Sequence, residues 1–172
     1  MSKTEKEIND YYKSVALHWK TESRKLMLKY EKDEKAFEII LHSVVGKGGG
    51  GVLRNISKDY FSKFSKYILD NLASIKNGTF DIFKVETFPD KQPVSFASKI
   101  CHILNPKAYP VIYDSRVRTA FKIGSGKNTE KKWDEKISEI KSTLTGKESV
   151  EDLYNKDFDC WIEGSNNIFK KI

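Results

Sequence analysis

Apolar residues recur at helical spacing along most of the chain. Ile8, Tyr11, Val15, His18 and Trp19 share one helix face, and Leu26, Leu28 and Tyr30 continue the pattern beyond Ser23. Ala36, Ile39, Ile40 and Val44 predict a second helix that stops at Gly46, after which glycines at 48, 49, 50 and 51 break regular structure. Ser57 suits the N-cap of a helix carrying Tyr60, Phe61, Phe64, Ile68 and Leu72, and Asn77-Gly78 marks a turn. Residues 80–88 alternate weakly and read as a short strand or an irregular link. Pro93 fits the first turn of a helix with Phe96, Ile100, Ile103 and Leu104, which Asn105-Pro106 ends. Pro110-Val-Ile-Tyr is an extended run into Asp114, which caps a helix over 115–122, closed by Gly124-Ser-Gly126. Thr129 opens a helix with Trp133, Ile137, Ile140 and Leu144 on one face. Ser149 and Asp152 form a capping-box pair ahead of Leu153, with Phe158 and Trp161 as closing apolar residues. The pattern predicts an all-α fold, a single domain over residues 1–172 built from about seven to nine short helices.

Composition narrows the class. The chain has 172 residues, 38% hydrophobic and 32% charged, enough for a packed core. Lys+Arg of 31 against Asp+Glu of 24 leaves a net charge of +7, which favours a polyanionic partner. No stretch is long and apolar enough to span a membrane, and the first residues lack an apolar signal region, so the expectation is a cytoplasmic protein with no membrane partner. Two cysteines, Cys101 and Cys160, cannot build a disulfide framework or a four-cysteine metal site and read as reduced thiols. His18, His42 and His102 lack metal-ligand spacing and read as partly buried structural histidines, so no metal and no cofactor are expected. Arginine occurs only at 24, 54, 116 and 118, and two of the four flank Val117.

The most informative stretch runs from Phe88 to Arg118. Its order is a loop, a helix with Phe96-Ala97, a Pro-containing extended segment with Pro110-Val111, an Asp at a helix start, then Ser115-Arg116-Val117. This resembles the helix-hairpin-helix DNA glycosylase superfamily, in which a helix bearing Thr-Ala leads through a Pro-rich loop to a catalytic Asp followed by Thr-His-Val. Ala97 and Asp114 stand 17 positions apart, close to the family's spacing. The resemblance implies that Asp114 stabilises positive charge on a deoxyribose ring and orients or deprotonates a water, after the target base has been flipped from double-stranded DNA. Lyase-competent members carry a lysine two positions before the helix Ala; Ser95 stands there here, which implies the monofunctional branch that leaves an abasic site. The family's Gly-x-Gly hairpin is replaced by Asp90-Lys91-Gln92-Pro93, leaving Lys91 and Gln92 as the candidate phosphate contacts.

The glycine-rich segment supplies further DNA-binding candidates. Backbone amides at Gly48 and Gly49 can approach phosphate, with Lys47 and Arg54 adding charge. By resemblance, Val52 or Leu53 would wedge into the DNA gap and His42 would border the base pocket. Tyr11 and Tyr12 are candidate pocket walls because one of the adjacent pair must leave the core face, which leaves Tyr12 as the pocket candidate. Arg116 and Arg118 would contact the DNA backbone or brace the site. Plainer readings stand beside these: Asp114 as an ordinary N-cap, residues 46–51 as a surface loop, Lys99 as solvated charge, the tryptophans as core, and Arg116 paired with a nearby carboxylate. The functional expectation is a cofactor-free DNA glycosylase acting in repair or in defence against modified foreign DNA. The alternatives are a non-catalytic DNA-binding module on the same scaffold and an interaction protein whose charge is incidental.

Overall fold

The computed structural model describes residues 3–47, 57–85, 93–124, 126 and 128–169. These residues form eight helices: α1 (Lys3–Lys29), α2 (Glu34–Lys47), α3 (Lys58–Asp70), α4 (Leu72–Asn77), α5 (Pro93–Leu104), α6 (Ser115–Ala120), α7 (Thr129–Ser142) and α8 (Val150–Phe169). No strand occurs among the described residues, and the fold is all-α. The weakly alternating stretch from Phe80 runs as turn and irregular chain through Val85.

Local chemistry fixes the boundaries. The Tyr60 amide donates to Ser57 Oγ at 3.1 Å, starting α3. The helix expected to run on to Leu72 breaks at Asn71, whose side chain donates to Tyr67 O at 2.8 Å and competes with the helical ladder. Gly78 ends α4 with φ of 75°, and a Cβ there would lie 2.6 Å from Ala108 Cβ. At α8, Ser149 and Asp152 exchange hydrogen bonds: the Ser149 amide donates to Asp152 Oδ2 at 2.9 Å and the Asp152 amide to Ser149 Oγ at 3.1 Å.

One core joins α2, α3 and α5, with Phe37, Leu41, Phe64, Ile68, Ile100 and Ile103 fully or nearly fully buried. Burying each such side chain contributes about 1.5–3 kcal/mol. Two helices are longer than the short elements expected, α1 with 27 residues and α8 with 20. The inward face of α1 is also rotated from the predicted one, by about a quarter-turn. Lys20, Ser23 and Met27 are buried, whereas Ile8, Tyr11, Val15 and His18 are exposed and Trp19 is half-buried. The reason is a polar one: α1 packs on α8 through Lys20 and Asp157, and the ion pair turns the apolar stripe outward. Ile39 on α2 is exposed as well, although periodicity placed it with the core.

Candidate functional site

Asp114 sits at the N-cap of α6 with extended backbone, and its Oδ1 accepts hydrogen bonds from the Arg116 and Val117 amides, both at 2.8 Å. Oδ1 is thereby fully engaged, while Oδ2 accepts no hydrogen bond among the described residues. The capping role and a free carboxylate oxygen coexist. Burial pushes the Asp114 carboxyl above its ordinary value; the Val117 amide opposes this, Asp157 adds to it, and the Arg116 amide and Lys99 oppose it. The amides alone would have held the group strongly ionised, so the net direction is the reverse of what the helix start suggests by itself.

The second member of the site is Lys99 on α5. Read from sequence as solvated charge, it is instead buried, with 7% of its surface exposed. It lies one turn along α5 from Ser95, and Asp114 and Asp157 both act on its amine. Its amine makes no hydrogen bond and no ion pair among the described residues. Burial pulls the Lys99 pKa down, against the opposing fields of Asp114 and Asp157.

The segment from Tyr109 to Asp114 contains no regular element, yet three side chains hold its backbone. His102 Nδ1 donates to Tyr109 O at 2.8 Å; because a carbonyl can only accept, this nitrogen carries the proton. His102 Nε2 is then a bare acceptor, and Lys20 Nζ donates to it at 3.2 Å. The Ile112 amide donates to Asp157 Oδ1 at 2.7 Å, and the Tyr113 amide to Ser98 Oγ at 3.0 Å. Lys20 completes the cluster by donating to Asp157 Oδ2 at 2.6 Å and to Tyr154 O at 3.3 Å, so its three protons meet three acceptors. Burial raises the Asp157 carboxyl, but the Lys20 ammonium and the Ile112 amide outweigh it and hold the group low. Burial drives His102 down to about 4 and keeps it neutral.

The two arginines after Asp114 brace its helix. The Arg116 guanidinium lies 4.2 Å from the Trp161 ring centre and the Arg118 guanidinium 5.2 Å from that of Tyr113. No ion pair of Arg116 with a carboxylate occurs among the described residues. Helix α8 approaches α6 so closely that a Cβ on Gly164 would lie 1.8 Å from Arg116 O. Tyr113 in turn packs edge-on against Trp133 and Phe83, with ring centres 4.9 and 5.3 Å apart.

The remaining candidates are scattered. His42 is exposed on α2, edge-on to Phe61 with ring centres 4.9 Å apart, and His18 is exposed on α1. Both were read as partly buried; each lies on the solvent side of its helix, and only His102 fits the structural reading. Tyr12 is exposed on α1 against Tyr11. Lys47 ends α2. Gly48, Gly49, Val52, Leu53, Arg54, Lys91 and Gln92 lie outside the described residues. Among the described residues no group of three His, Cys, Asp or Glu could hold a metal ion, and no helix is long and apolar enough to cross a membrane. Sequence reasoning missed Lys20, Ser98, Lys99 and Asp157. For Lys20 a signal existed: it shares a helix face with Ser23 and Met27, but one lysine among many carries little weight. No family model, no curated protein and no solved structure matches this chain.

Proposed function

We propose that this chain is a cofactor-free DNA glycosylase that hydrolyses the N-glycosidic bond of a base flipped from double-stranded DNA. The observation that supports the reading is the divided carboxylate of Asp114: one oxygen is fixed by two amides, and the other accepts no hydrogen bond among the described residues. Such a group, held beside a sugar, stabilises charge developing at the anomeric carbon and accepts a proton from the attacking water. Its raised pKa makes it a stronger base than an exposed aspartate. The net charge of +7 supports a polyanionic substrate, with Lys47, Gly48, Gly49, Arg54, Lys91 and Gln92 as the proposed phosphate contacts and Val52 or Leu53 as the wedge. The test is mass spectrometry of bases released from a panel of normal, damaged and modified duplexes. Release of one base class with abasic product supports the reading; no release from any duplex refutes it.

Lys99 favours a second reading. A buried amine with a lowered pKa, within the electrostatic reach of Asp114 and without a hydrogen bond among the described residues, is suited to attack a sugar carbon and form an imine as the base departs. Borohydride added during the reaction reduces such an imine to a stable protein–DNA link. A link that forms with the wild type and is lost in Lys99→Arg assigns the cleavage to the amine. Abasic product without a link assigns it to water.

A further inference from the structure

Helix α1 carries an outward apolar stripe that no described element covers. Ile8 is 50% exposed, Tyr11 65%, Tyr12 57% and Val15 48%. At 3.6 residues per turn these four fall within an arc of about 100°. The buried residues Lys20, Ser23 and Met27 lie about a quarter-turn away, so the helix has one face for its own core and another facing solvent. Isolated exposed apolar residues are ordinary; four adjacent ones, two of them tyrosines, are not.

We propose that this stripe is the interface of a symmetric dimer in which two copies of α1 pack antiparallel. The pattern is self-complementary. Read in either direction it runs aliphatic, two positions, aromatic, aromatic, two positions, aliphatic. A two-fold axis between Tyr11 and Tyr12 therefore sets Ile8 of one copy against Val15 of the other and the tyrosine pairs against each other. That is what an isologous contact requires, with the same patch on both sides. Tyr11 and Tyr12 already stand edge-on, with ring centres 5.7 Å apart, and present amphipathic rings suited to an interface centre. The four side chains offer at most roughly 450 Å² per copy, or about 900 Å² for the pair, which is below the range of stable specific interfaces and in that of weak, transient ones. The dimer is accordingly a reversible one rather than an obligate one. A polyanion is a poorer occupant, because the stripe itself holds no cation.

The experiment is sedimentation equilibrium of the full chain from about 1 to 200 µM, with circular dichroism as the folding control. The wild type is expected to shift from monomer to dimer across that range. Ile8→Asp and Tyr12→Asp are expected to stay monomeric with unchanged helix content. A Tyr12→Cys variant in a Cys160→Ser background is expected to form an intermolecular disulfide rapidly, and a Leu26→Cys variant is not. A wild type that remains monomeric at 200 µM overturns the proposal, as does a dimer that survives both Asp substitutions. Loss of DNA binding in Tyr12→Asp without any dimer in the wild type also overturns it and assigns the stripe to nucleic acid.

Discussion

Asp157 Oδ1 accepts the Ile112 amide proton at 2.7 Å, two residues before the carboxylate of Asp114. A side chain of α8 thus fixes the approach to the start of α6, and Lys20 of α1 fixes that side chain in turn. The approach to the candidate carboxylate is held by a buried ion pair together with Ser98 on the Tyr113 amide.

That dependence predicts a large stability effect. Lys20 and Asp157 are both nearly fully buried, so removing either leaves an uncompensated charge. Asp157→Ala and Lys20→Met are each expected to cost about 3–5 kcal/mol in urea unfolding. The double substitution Lys20→Met with Asp157→Leu is expected to cost much less than the sum of the two singles, because no orphan charge remains.

His102 predicts a pH dependence. Its pKa is about 4 in the folded chain against an ordinary 6.5, so the unfolded chain binds the proton more readily between those values. The stability it contributes is complete above pH 6.5 and falls as the pH drops toward 4, by about 3 kcal/mol in all. The raised carboxyl of Asp114 acts in the opposite direction, because the folded chain binds that proton more readily than the unfolded one. Urea midpoints measured from pH 7.5 to 4.5 should fall in the wild type. They should fall less in His102→Asn, which keeps a donor for Tyr109 O and has nothing to titrate.

The α6–α8 contact leaves no space for a side chain at Gly164. Gly164→Ala is expected to destabilise the fold by about 1–3 kcal/mol by pushing α6 outward from Arg116. Amide exchange over residues 114–120 should accelerate more than exchange in α3.

The helical architecture was legible because it rests on local signals. Ser57, Asp114, Ser149 and Gly78 each act within a few residues, and periodicity found the core of α3 and α5. Which face of α1 turns inward was not legible. The decision lies in a Lys20–Asp157 pair separated by 137 positions, and a lysine on a helix face gives no local sign of its partner. Lys99 hid for a related reason: its burial is a tertiary effect, with Asp114 and Asp157, distant in sequence, acting on its amine. Asp114 itself was legible as a cap and as a candidate carboxylate, while the neighbours that raise its pKa were not.

Lys99 and Asp114 are predicted to tune each other. Lys99→Met removes a positive field that holds the Asp114 carboxyl down, so the Asp114 pKa should rise further. Carbon-detected titration of the Asp114 carboxyl checks the direction. An Asp114 pKa that does not move in Lys99→Met would show that the two groups do not interact.

The central claim is that the free oxygen of Asp114 performs the chemistry, and Asp114→Asn tests it most directly. Asn caps a helix as well as Asp does, so unfolding should change by less than about 0.5 kcal/mol and duplex binding should persist. Base release from the duplex that the wild type cleaves is predicted to fall at least about a hundredfold. Release at the wild-type rate by a folded, DNA-binding Asp114→Asn protein would contradict the account.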